Sequence, residues 1–132
     1  MKRFTLMLVY ALICLCGCEK ADVDINKLYG TWDECYEDKN FVMDSIVEYT
    51  FNTDGTYQVY TYDALSGMTN TRTHEYTLKD DVITLNTANM DSSYSPSYTI
   101  TKLNGSEMSW QKVGTSYSPG SNGSDYKHFK RK

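Results

Sequence analysis

Proline is scarce in this sequence, with two residues in 132, and histidine is equally rare at two. So few prolines leave almost every backbone N–H free to join a hydrogen-bonded ladder, which suits sheet. The two histidines, His74 and His128, have Glu75 and Asp125 nearby but no zinc-ligand spacing, so no metal and no cofactor are expected. Positive charge is short as well: 13 Lys and Arg face 17 Asp and Glu. An acidic chain lacks the basic footprint that phosphate contacts need, which excludes nucleic acid as the expected partner. No apolar run approaches the ~20 residues of a membrane-spanning helix. No nucleophile–base pair can be assembled, so no catalytic residue is assigned and an enzyme is not expected.

What is present begins with the amino terminus. Lys2 and Arg3 precede a nearly unbroken apolar run over residues 6–15, the pattern of a cleaved signal peptide over residues 1–17. The run ends Leu15-Cys16-Gly17-Cys18, which resembles a bacterial lipobox and implies lipid attachment at Cys18. Of four cysteines, Cys14 and Cys16 would leave with the signal and Cys18 would carry acyl chains. Cys35 then stands alone, so the core and not a disulfide must stabilise the domain. Loss of Lys2 and Arg3 takes the net charge from −4 to −6. Residues 18–27 read as the lipidated cysteine and a polar tether, with Asp24 or Asn26 able to cap one helical turn. The expected partner of Cys18 is a lipid bilayer and the expected location is the cell envelope, at the outer membrane.

From residue 28 to 132 no amphipathic helix of useful length occurs. Twelve tyrosines and many threonines favour half-buried pleated surface. Strands are expected over residues 31–37, 45–51, 56–62, 71–78, 82–85, 98–103, 107–113 and 126–131. Asp54-Gly55 and Asn104-Gly105 supply hairpin turns. Residues 63–70 read as a flexible loop, and residues 86–97 and 114–125 as long polar loops. Eight short strands joined mostly by tight turns predict an all-β fold. The chain should form a small antiparallel up-and-down barrel, since closure removes exposed edges.

Several stretches together carry a family resemblance: Leu28-Tyr-Gly-Thr-Trp32; Tyr49-Thr-Phe51-Asn-x-Asp54-Gly55-Thr-Tyr57; Tyr76-x-Leu78 with Ile83-Thr-Leu85; and Ile100-x-x-Leu103-Asn-Gly105-x-x-Met108-x-Trp110. Over residues 28–131 the chain resembles the lipocalin-like lipoproteins of Bacteroidetes. The resemblance implies an eight-stranded lipocalin-like barrel closed by Gly30 and Trp32, with Arg131 or else Lys130 stacking on the indole. It lacks the later Thr-Asp-Tyr loop motif and the long helix of true lipocalins.

Two functions follow as expectations. In the first, the barrel mouth holds a small apolar or amphiphilic ligand in a cavity lined by Tyr49, Phe51, Tyr57, Tyr76 and Trp110. In the second, a filled barrel serves as a non-enzymatic accessory of an envelope assembly, engaging a protein partner through outer tyrosines such as Tyr60 and Tyr62. Asp44-Ser45-Ile46 also fits a short O-glycosylation pattern at Ser45.

Overall fold

The computed structural model describes residues 23–35, 45–87, 95–114 and 125–132. Cys18 and residues 1–22 lie outside that set, as do Glu37, Asp44, Tyr94 and Tyr117. A single helical turn, α1 (Ile25–Leu28), precedes eight strands: β1 (Gly30–Cys35), β2 (Ser45–Phe51), β3 (Thr56–Asp63), β4 (Met68–Lys79), β5 (Val82–Asn86), β6 (Ser97–Leu103), β7 (Glu107–Lys112) and β8 (Tyr126–Arg131). Each strand pairs antiparallel with the next, and β8 returns to β1, so the sheet closes. The expected all-β, eight-stranded up-and-down barrel is the fold that forms.

Local chemistry sets the ends of these elements. Asp24 caps α1 by accepting from the Asn26 N–H at 3.0 Å. In the β2–β3 hairpin Gly55 takes φ of 84°, while Asp54 accepts from the Thr56 N–H at 2.9 Å and its hydroxyl at 2.6 Å. These bonds, the hydroxyl first, hold the Asp54 carboxyl below its usual range.

Residues 63–70 depart from the expected loop. Met68 pairs with Asp63, Thr69 with Tyr62 and Asn70 with Thr61, so only a four-residue turn remains. Asp63 builds that turn by accepting from the Leu65 N–H at 3.0 Å and the Ser66 hydroxyl at 2.9 Å. The Gly67 N–H closes it onto the Asp63 carbonyl at 2.7 Å.

Alternation along the strands sends one face inward. Trp32, Tyr49, Phe51, Tyr57, Tyr76, Ile83, Leu85, Tyr98, Ile100, Met108, Trp110 and Phe129 form one core, with Leu28 of α1 beneath it. β6 keeps both Ile100 and Leu103 on the core side because the register slips between Ile100 and Lys102. Without that bulge a spacing of three would turn one of them outward.

The strand directions give the barrel two unlike ends. The starts of β1, β3, β5 and β7 meet the ends of the other four strands at one end, which α1 underlies. The opposite end carries the β3–β4 turn together with the connections out of β1, β5 and β7. The first is called the floor below and the second the mouth.

Candidate functional site

At the floor, Trp32 is fully buried and its indole N–H donates to the Leu28 carbonyl at 2.8 Å, tying the first strand to α1. The Arg131 guanidinium lies 4.4 Å from the centre of the indole ring, within range of a cation–π contact. Its Nη1 donates to the Tyr29 carbonyl at 2.8 Å and its Nη2 to the Lys27 carbonyl. Gly30 makes room for this arm. Its φ is 118°, and a Cβ there would meet Arg131 Nη1 at 2.8 Å. Both the backbone angle and the close approach therefore call for glycine.

Above the floor the interior is crossed by aromatic rings. Trp110 packs on Phe129 at 4.5 Å between centroids, Tyr98 at 5.5 Å, Tyr49 at 5.8 Å and Phe51 at 5.9 Å. These contacts join β7 to β6, β8 and the facing β2, so one indole bridges the barrel. Its N–H is buried without a hydrogen-bond partner, a cost of about 1–3 kcal/mol that ring packing must offset. Tyr57 stacks on Phe51 at 5.8 Å and lies near His74 at 5.6 Å. Burial, and next the neighbouring Tyr98, push the Tyr57 hydroxyl up to about 12. The Tyr76 hydroxyl is also raised, first by burial, and donates to the Asn52 carbonyl at 3.1 Å.

Tyr49, Phe51, Tyr57, Tyr76 and Trp110 are thus brought together, all buried and in contact with one another as a packed ring cluster.

One wall nearer the mouth carries charge into the interior. Glu34 and Lys127 form an ion pair at 2.6 Å, with side chains only 3% and 16% exposed. The Lys127 ammonium also stands 6.0 Å from the centre of the Tyr49 ring. Two elements far apart in sequence place this pair, since β1 and β8 adjoin only through barrel closure. Lys112 and Asp125 make a looser pair at 3.9 Å. Nothing in the local spacing of Glu34 or Lys127 marked them; the β1–β8 register was the missing information.

A second constellation went unread for the same reason. On the outer wall the Ser109 hydroxyl bonds to His128 Nδ1 at 2.9 Å, and His128 Nε2 lies 3.9 Å from Glu107 Oε1. The order hydroxyl–imidazole–carboxylate has the outline of a nucleophilic triad. Ser109, however, is only 2% exposed and Glu107 is held by Lys102. The group fastens β7 to β8. Cys35 sits beside it as the cross-strand partner of His128, its thiol donating to the Asp33 carbonyl at 3.6 Å. Among the described residues no cluster of three or more His, Cys, Asp or Glu could hold a metal. Ser45 begins β2 at the mouth end, half-buried and paired with Asp63.

No family model matches the sequence, and no curated protein matches it. Two solved structures share the architecture. One is a lipocalin-like protein from Bacteroides uniformis ATCC 8492, with a TM-score of 0.53 and 20% identity over 80% of this chain and 98% of that one. The other is an uncharacterized protein from Bacteroides eggerthii DSM 20697, with a TM-score of 0.51 and 16% identity over 79% and 98%. At such identities the likeness speaks to fold: the chain is a lipocalin-like barrel.

Proposed function

We propose that this chain is a lipid-anchored binding lipoprotein of the cell envelope, attached through acylated Cys18, which takes its ligand at the mouth of the barrel. The observation that carries this reading is the change of character along the barrel interior. Packed rings occupy the floor and middle, and the Glu34–Lys127 pair stands above them. A molecule seated there meets aromatic surface below and an ion pair on one wall. That combination suits a small amphiphilic ligand. A long alkyl chain would need the space that Trp110 and Tyr57 already fill. The lipocalin-like architecture supports a binding role in general.

The same packed rings favour a second reading. A barrel filled by its own side chains is a rigid scaffold, which suits a non-enzymatic accessory that engages an envelope protein through its surface.

Native mass spectrometry of the full-length protein extracted from membranes tests the first reading. The expected spectrum carries covalent acyl mass on Cys18 and a second, non-covalent mass that denaturation removes. The double variant Glu34→Gln/Lys127→Met should lose only the second mass. A spectrum with acyl mass alone, together with unchanged amide shifts on titration with amphiphiles, would leave the accessory reading standing.

A further inference from the structure

The register places more charge on the inner face of the mouth than the Glu34–Lys127 pair. Tyr57 pairs across strands with His74, and Val59 with Arg72. Residues directly opposite one another share a face of the sheet, and Tyr57 and Val59 both belong to the interior. His74 and Arg72 therefore face inward, two and four residues along β4 from the buried Tyr76. The His74 ring lies 5.6 Å from the Tyr57 ring, in keeping with that direction.

Arg72 is nevertheless exposed and His74 only half-buried. The reason is the length of β4. β5 pairs with Glu75–Lys79 alone, so among the described residues the stretch 68–74 is held by β3 on one side only. β2 behaves likewise on the far side, meeting β1 no further up than Glu48. Toward the mouth, β2, β3 and β4 thus form a three-stranded wall whose inner face carries Val47 and Val59 beside Arg72 and His74.

On this half of the interior the other bases already have acids. Lys127 is paired with Glu34, and Lys112 with Asp125. Asp63 stands at the tip of the three-stranded wall, but its carboxylate accepts from the Leu65 N–H and the Ser66 hydroxyl of its own turn. Arg72 makes no hydrogen bond or ion pair among the described residues. β4 and β8 lie four strands apart in a ring of eight, so Arg72 and Lys127 stand on opposite walls. A chain of net charge −4 therefore keeps one unpaired guanidinium inside its mouth.

We propose that the mouth selects a monoanionic amphiphile, a carboxylate on a short apolar tail, with its head group on Arg72 and His74 and its tail along Val47 and Val59. This deepens the ligand reading above and rests on it. A guanidinium presents a flat fork of donors that a carboxylate meets with both oxygens, and a neutral imidazole adds one ring N–H. One unpaired cation matches one negative charge; a phosphate dianion would find no second.

Amide shifts of residues 70–74 in the full-length protein, held in bilayer nanodiscs, test this with four probes: octanoate, octanol, octylammonium and acetate. Midpoints are taken against free probe concentration. Octanoate should half-saturate the shifts about tenfold below octanol, the effect of one charge-assisted pair, with octylammonium and acetate weaker than both. Arg72→Gln should raise the octanoate midpoint about tenfold and bring it level with octanol. Arg72→Lys keeps the charge and loses the fork, so it should fall between. The comparison of probes on the parent needs no variant, so a folding defect in either substitution leaves the test in force.

Equal midpoints for octanoate and octanol overturn the proposal and leave a ligand site at the mouth. So does an octanoate midpoint that a folded Arg72→Gln does not move. Acetate as effective as octanoate reduces the site to an anion contact without a tail, and octylammonium ahead of octanoate gives the head group to Glu34; either overturns the proposal. Shifts moved by none of the four remove the mouth reading and the proposal together.

Discussion

The floor and the mouth of this barrel are built from the same strands and solve opposite problems. At the floor every device points inward: Trp32 bonded to Leu28, Arg131 laid over the indole and tied to two carbonyls, Gly30 bent to admit it. At the mouth, charge enters the interior with Glu34 and Lys127, and the apolar side chains of Leu65 and Met68 meet solvent. Stability and exposure have been separated along one axis. Substitutions should therefore cost much at the floor and little at the rim.

The largest expected effect tests the floor. Trp32→Ala removes a fully buried indole and should cost about 3–5 kcal/mol, read as the change in urea midpoint. A variant that melted like the parent would erase the contrast between the ends. Next comes the ion pair. Glu34→Gln leaves the Lys127 charge without its partner in a mostly buried site, an expected loss of about 2–4 kcal/mol. The double variant Glu34→Gln/Lys127→Met should recover most of it. A double variant as unstable as the single one would place the value of the pair in shape and not in charge balance.

Tyr57, beside the hairpin that joins β2 to β3, adds a pH test. Its folded hydroxyl is raised to about 12 from 10.0, so the folded chain keeps a proton that the unfolded chain gives up. The stabilising contribution is complete below pH 10 and is lost as pH rises from 10 to about 12. Tyr57→Phe should flatten that part of the denaturation profile.

Gly30→Ala sharpens the floor further. It combines a φ of 118° with a Cβ pressed on Arg131, for an expected loss of about 1–3 kcal/mol. Smallest of all, Leu65→Asp at the rim should change stability by less than about 0.5 kcal/mol. A larger loss would show that the side chains of the β3–β4 turn also serve the fold.

The floor could be read in the sequence because its chemistry is local. Leu28 to Trp32 carries the glycine and the indole within five residues, and only Arg131 had to come from elsewhere. The strands were legible for a similar reason. Period-two runs such as Val47, Tyr49 and Phe51 mark the inward face, and Asp54-Gly55 announces its own turn. Residues 63–70 misled because Ser66-Gly67 suggests slack. The decisive feature is the Asp63 carboxylate, whose bonds to Leu65 and Ser66 shorten the connection to a tight turn. The mouth was illegible for a different reason. Glu34 meets Lys127, and Ser109 meets His128, only once the register between non-adjacent segments is known. No spacing along one strand encodes that register.

The contact between Arg131 and the Tyr29 carbonyl spans 102 positions of sequence. It belongs to the seam that closes the barrel, where Trp32 pairs with Arg131 and Glu34 with Phe129. Such long-range pairing is slow to form and brings no reward until both partners exist. A chain emerging from its amino terminus therefore cannot complete its fold before the final strand has been made. Until then Trp32 has no cation above it and β1 has an open side. The barrel is finished by its final strand, and every earlier strand waits on that one for closure.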